Sequence, residues 1–212
     1  MRDAVFLPPG YCAKLDRPVV LDARDIADYS CDVALIANQY DYKERILNDL
    51  MLLRTNLNLH IWGLRWKSDC KSKILLKCIQ GFPLWGQIYT RAIQAVRINL
   101  AIMSGVVPGA SSGDLTTNRT YVIPAVGGFM LHERNSEVLE LYKENEEIAC
   151  FDSVEELADR IDYYLAHPAE REAIARAGHA RCVPAYSYDS RVADILRWHR
   201  AHCDIEDLQI PG

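Results

Sequence analysis

The strongest constraint on this chain is an alternation of short apolar runs with longer segments whose apolar residues recur every three or four positions. Residues 32–37, 57–62, 74–79, 98–103, 129–131 and 148–151 are the short runs, and each predicts a strand. Between them, Ile46, Leu47, Leu50 and Leu53 mark a helix over 42–55. Ile88, Ala92, Ile93, Val96 and Leu100 mark another. Residues 116–126 predict a short helix closed by Gly127–Gly128. Ser153, with Glu156 three residues on, reads as a capping box for a helix carrying Val154, Leu157, Ile161 and Leu165. Pro168 opens a further helix that Gly178 is expected to close. Ser187 caps the last, whose stripe is Val192, Ile195, Leu196 and His199.

Strands alternating with helices imply an α/β, Rossmann-like parallel sheet with helices on both faces. The run 32–37, apolar from Val33 to Ala37, is expected at the centre of the sheet. In such sheets ligands bind beyond the carboxyl ends of the strands, near the point where the strand order reverses. That directs attention to the positions after Ala37, Trp62 and Ile79 and to the Gly/Ser-rich segment 104–113, which reads as a mobile loop. One domain, residues 31–212, is expected, preceded by a lead-in segment over 1–30.

Composition narrows the function classes. Twenty-four Lys and Arg against 29 Asp and Glu leave a net charge of −5, so no nucleic-acid partner is expected. No apolar run approaches the roughly 18 residues of a membrane span, and the first apolar stretch is too short and too proline-broken for a secretion signal. A cytoplasmic address follows as the expectation. The cysteines are seven: Cys12, Cys31, Cys70, Cys78, Cys150, Cys182 and Cys203. An odd number without a CxxC pair argues for free thiols rather than disulfides or structural zinc. The histidines show no metal-ligand spacing, and His199 and His202 suit a helix C-terminus better than a metal. Neither a metal nor a cofactor is expected.

No Walker loop, GxGxxG, HExxH or GxSxG occurs. The informative stretch is 113–120, where Asp114, Thr116, Thr117 and Arg119 precede a short helix. A helix N-terminus suits a phosphate, although Thr116 or Thr117 serves equally as a plain N-cap. Lys43 and Arg45 follow the first strand and either reach phosphate oxygens or sit solvated on a helix surface. Gly127–Gly128 permits a tight turn with close backbone approach, or simply a C-cap. The acidic run 144–147 reads as a solvated face.

The run 118–134 (NRTYVIPAVGGFMLHER) resembles a sequence block of the CgeB-like (spore maturation protein) glycosyltransferases, of the glycosyl transferases group 1 kind. Segments 147–153, 163–168 and 170–175, with Gly178, resemble the same family in order and spacing. So do 89–95 with 98–100, 31–33, and Ile61-Trp62-Gly63 with Trp66. The matches run in register over about residues 29–196. The resemblance implies the C-terminal, nucleotide-sugar-binding half of a GT-B fold, with 1–30 (Leu7-Pro8, Arg17-Pro18) as the interdomain stretch. It implies a nucleotide-sugar substrate and no obligatory metal. Its partner would be an N-terminal acceptor-binding half or a second copy of the chain. The donor and its phosphates are then expected at Lys43, Arg45, Asp114, Thr116, Thr117 and Arg119. The base is expected near Gly63, Gly81 and Phe82, and the tight turn at Gly127 and Gly128.

Two departures from the family pattern stand out. The glutamate that the resemblance places on the donor ribose is Val122 here, with Asp114 in place of the first acid of the pair. The glycine expected after the first strand is Ala37. Val122→Glu would therefore either restore hydroxyl contacts to the ribose or bury a carboxylate in core. The resemblance implies a glycosyltransferase donor half. The departures admit the alternative of a non-catalytic module that binds a nucleotide or a partner chain.

Overall fold

A computed structural model describes residues 6–107 and 111–202. In chain order the elements are α1 (Ala23–Tyr29), β1 (Cys31–Ile36), α2 (Asp41–Leu53), β2 (Leu59–Trp62), α3 (Trp66–Asp69), β3 (Ile79–Gly81), α4 (Gly86–Ala95) and β4 (Val96–Ala101). Two short strands, β5 (Val106–Val107) and β6 (Ser111–Ser112), pair antiparallel. Then come α5 (Asn118–Ala125), β7 (Met130–Glu133), α6 (Ser136–Leu141), β8 (Ala149–Phe151), α7 (Val154–Ala166), α8 (Pro168–Cys182) and α9 (Tyr188–His202).

Six strands form one parallel sheet in the order β3-β2-β1-β4-β7-β8. Val33 and Leu35 of β1 pack with Ile46, Leu47 and Leu50 of α2 and with Leu157 and Ile161 of α7. On the other side of the sheet, Ala101 and Met130 join Ile93 of α4 and the buried face of α5. Because both faces of the sheet are covered, Val33 to Ile36 of β1 run apolar without alternation, as buried parallel strands do, while Asp32 at its start pairs with Arg97 at 2.7 Å. The strand occupies the predicted central position.

The structure differs from the sequence reading at several places. The run 74–79 is a 3₁₀ turn (Leu75–Lys77) that leads into the short β3. Leu75 anchors it in the core while Leu76 is 46% exposed, so the run was apolar without being sheet-paired. Val96 and Leu100 belong to β4, which follows α4 without an intervening loop. Gly178 does not end α8 but lies within it. A Cβ there would sit 2.3 Å from the Glu147 carbonyl oxygen, so the glycine admits close packing. Ser153 does cap α7, accepting from the Glu156 N–H at 3.1 Å, but Glu156 turns to Asp152 N–H and Arg134 instead of completing the box. Glu144, expected in a solvated face, also pairs with Arg134 at 2.7 Å. Of the segment 104–113, residues 108–110 lie outside the described residues, as do 1–5 of the lead-in segment and Cys203.

The lead-in segment packs onto the sheet layer. Tyr11 is buried, its N–H donates to the Tyr186 carbonyl at 3.2 Å, and α1 lies against α4. Asp22 caps α1 with a full capping box to Asp25.

Candidate functional site

Sheet order reverses between β1 and β4: β2 and β3 extend to one side, β7 and β8 to the other. The connections leaving the carboxyl ends of these strands diverge there and open a crevice. A cavity of about 360 Å³ occupies it. Ala37 and Asn38 beyond β1, Gly63 beyond β2, the approach to α4 (Pro83 to Gly86) and Arg119 of α5 line it, together with Asp16 of the lead-in segment. A larger cavity, about 600 Å³, lies by residues 55–60 and 73–80 at the amino end of β2. That is the wrong end of a parallel sheet for the strand-terminal chemistry described here.

Close approach between the first two loops shapes the floor of the crevice. Gly63 has φ +153°, and a Cβ there would lie 1.9 Å from the Ala37 carbonyl oxygen. The same carbonyl accepts from Trp66 Nε1 at 2.7 Å. The glycine needed for close approach is thus on the β2 loop, and Ala37 is accommodated against it.

Lys43, on the first turn of α2, is buried. Its Nζ donates to Ser104 Oγ at 3.3 Å and to the Asn38 carbonyl at 3.4 Å, and it lies 4.6 Å from the Tyr40 ring centroid. Burial first, and then the Arg119 charge, push its pKa down to about 7, with Asp114 and Glu133 acting in the opposite direction. Arg119, the second residue of α5, donates to the Ile102 carbonyl at 2.8 Å, and its buried Nε has no partner among the described residues. Burial lowers its pKa as well, with Tyr89 opposing. Two cations are therefore held in a poorly hydrated place where they repel each other, an arrangement that an anion would relieve.

Neighbouring polar groups fix the elements that carry both cations. Glu133, at the end of β7, accepts from the Tyr42 hydroxyl and from the Met103 N–H (2.9 Å), which ties the start of α2 to the end of β4. His132 is fully buried, and desolvation lowers its pKa to about 4, so it is neutral. Its Nδ1 lies 2.6 Å from the Glu133 carbonyl and its Nε2 2.9 Å from Thr120 Oγ1. One set of roles satisfies both: Nδ1–H donates to the carbonyl and Nε2 accepts from the threonine hydroxyl. Thr120 Oγ1 in turn accepts from the Thr117 N–H at 3.0 Å, closing a capping pair at the start of α5. That pair holds the helix N-terminus, with Asn118 and Arg119, at the cavity.

The structure brings together some of the expected site residues and separates others. Arg119 and Gly63 line the cavity, and Lys43 stands at its edge against Asn38. Asp114 acts on Lys43 through its charge. Thr117 is the N-cap. Thr116 instead turns to α6, its hydroxyl 3.5 Å from Glu137 Oε2. Arg45 is exposed and lines a different hollow, with Glu44 and Lys71 on the far side of α2. Gly81 has no neighbour for a Cβ within 4 Å and Phe82 is 83% exposed; the residues just after them face the cavity instead. Gly127 (φ +79°) and Gly128 form a tight turn at the opposite end of the sheet, where a Cβ on Gly128 would meet Ile93 at 2.6 Å. Val122, at the position where the resemblance puts a ribose-binding glutamate, is 1% exposed and packs in the core with Ile93 and Met103. Sequence reasoning missed Asp16, Trp62, Trp85 and Tyr89, which line the cavity. The two tryptophans beside turn glycines were the available signal.

Among the described residues no group of three or more His, Cys, Asp and Glu is placed to hold a metal ion, and no helix is long and apolar enough to cross a membrane.

Residues 38–197 match the model of a family described as glycosyl transferase-like. No curated protein matches the sequence. Among solved structures, the C-terminal domain of the group 1 glycosyl transferase LpcC from Francisella tularensis is similar over 84% of this chain and 100% of its own (13% identity, TM-score 0.59). HepE of Anabaena, solved with UDP, matches over 92% of this chain and 57% of its own (11% identity, TM-score 0.69). A glycosyltransferase from Rickettsia africae matches over 95% and 57% (10% identity, TM-score 0.70). At these identities the likeness shows a shared fold, the C-terminal domain of GT-B glycosyltransferases. The chain spans little more than half the length of the two longer proteins.

Proposed function

The chain belongs to the glycosyl transferase-like family, and from that premise we propose that it is the donor-binding half of a glycosyltransferase, with a nucleotide-sugar held in the crevice between β1 and β4. The observation that carries this reading is the meeting, at the sheet's reversal point, of a cavity with Arg119, Lys43 and the N-terminus of α5. HepE has been solved with UDP and with UDP-glucose, which supports a uridine nucleotide as the first donor to try. Residues 31–212 would form the donor domain and 1–30 the interdomain stretch. The acceptor would come from an N-terminal half on another segment or chain. Within the family, the resemblance of 118–134 favours the CgeB-like branch.

In such a reaction the leaving group is a nucleoside diphosphate whose charge grows as the glycosidic bond breaks. Arg119, with its unpartnered Nε, would donate to a phosphate oxygen. Lys43 in its protonated form would place a second positive charge nearby. The N–H groups at the start of α5 would add partial positive charge. All are fixed before the donor arrives, so little reorganisation is required.

The burial of Val122 supports a second reading, in which the fold keeps nucleotide binding without turnover. Supplying UDP-glucose together with the acceptor-binding half and following release of UDP separates the two, since only the enzyme then consumes the donor.

Calorimetric titration with UDP-glucose tests the site. Arg119→Ala is expected to weaken binding by about 1.5–3 kcal/mol, the range for a hydrogen bond to a charged group. Unchanged affinity in a folded variant would remove Arg119 from the site.

A further inference from the structure

Asp16 is the only carboxylate among the described residues lining the cavity. A tight turn fixes it: its own N–H donates to the Cys12 carbonyl at 2.7 Å, and its Oδ2 accepts from the Cys12 N–H at 2.7 Å. The turn is pinned to α4 by Thr90, whose hydroxyl donates to the Leu15 carbonyl at 3.2 Å, and by Gln94, which accepts from Val19 N–H at 2.8 Å. Oδ1 has no partner, and no cation pairs with Asp16, among the described residues. The half-buried acid thus presents one free oxygen from a rigid mount.

Its surroundings restrict what it can accept. Tyr89, on α4, lines the same cavity as Arg119 and Asp16. A phosphate belongs at the cationic end and would be repelled by Asp16. The complement to Asp16 is a neutral hydrogen-bond donor a short distance from that phosphate. In a ribonucleoside diphosphate this is the ribose, whose two adjacent hydroxyls suit a carboxylate. Val122, sealed in the core, offers no acceptor to compete.

Resting on the reading of this cavity as a nucleotide-sugar site, we propose that Asp16 accepts the ribose hydroxyls of the bound nucleotide and makes the site selective for ribonucleotides over 2′-deoxyribonucleotides. The lead-in segment then completes the site instead of merely leading to it.

The test is calorimetric titration of the full chain with UDP and with 2′-deoxy-UDP, before and after Asp16→Asn. The asparagine amide oxygen can still accept from Cys12 N–H, so the turn is retained, and an unchanged Tm checks this. The unmodified chain should prefer UDP by about tenfold, the effect of one charge-assisted hydrogen bond. Asp16→Asn should weaken UDP by a similar factor and bring the ratio of the two affinities close to one. Equal binding of UDP and 2′-deoxy-UDP by the unmodified chain would overturn the proposal while leaving the nucleotide site standing. So would an Asp16→Asn variant with the ratio intact. Failure of the unmodified chain to bind either nucleotide would instead reject the site itself, and this proposal with it.

Discussion

Raising the pH should weaken donor binding in a way that belongs to Lys43 alone. In the free protein, burial and the nearby Arg119 hold its pKa at about 7, against 10.5 for an ordinary lysine. A bound diphosphate requires the charged form and favours it, so binding is accompanied by proton uptake wherever the free amine is neutral. At pH 7 about half of the free protein carries the proton, and at pH 9 about 1% does. Affinity for UDP-glucose should therefore fall roughly 50-fold between these values, about 2.3 kcal/mol. UDP-glucose is the suitable probe because its phosphates keep a fixed charge over this range. The stability of the free protein should move the other way. Between about pH 7 and 10.5 the unfolded chain binds the lysine proton and the folded chain does not, so folding becomes more favourable as pH rises. Isothermal calorimetry in two buffers of different ionisation enthalpy reads the proton uptake directly. Lys43→Met fills the same volume without the charge and should abolish both slopes. An affinity independent of pH from 7 to 9, or a slope that survives Lys43→Met, would refute the assignment.

Two further substitutions probe the frame of the site. Val122→Glu places a carboxylate in a dry core and should cost about 3–5 kcal/mol, with a fall in Tm on the order of 10 °C; an unchanged Tm with tighter UDP binding would show that Val122 faces the donor. Gly63→Ala forces a Cβ into the Ala37 carbonyl at a backbone angle side chains rarely adopt. It should cost about 1–3 kcal/mol in urea unfolding and weaken UDP-glucose binding in parallel. Undiminished stability would mean that the two loops do not depend on their close contact.

Much of the fold was legible because the physics is local. The apolar run 33–37 at β1, too short for a helix, reads as a strand covered on both faces, and Asp41 to Leu53 carries a helical stripe. Where local pattern and tertiary context part company, the reading failed. Leu75 and Leu76 look alike in sequence, yet one is core and the other half exposed. Gly178 looks like a stop signal but is required by the carbonyl of Glu147, which lies more than 30 positions back in the chain. The site followed the same division. Arg119 and Lys43 sit at positions fixed by strand ends and helix starts, and their chemistry could be anticipated. Arg45, two residues from Lys43, turns away because a helix rotates about 200° over that interval. Asp16 reaches the cavity only because the lead-in segment folds back over α4, through contacts across 75 positions that no local motif encodes.

The proposed site for the nucleotide-sugar lies at the carboxyl ends of β1 and β2, against the start of α5. Backbone amide chemical shifts on titration with UDP-glucose test it most directly. The largest changes should fall at Ala37, Asn38, Gly63, Gly86, Asn118 and Arg119. Changes confined to residues 55–60 and 73–80, around the larger cavity at the amino end of β2, would contradict it.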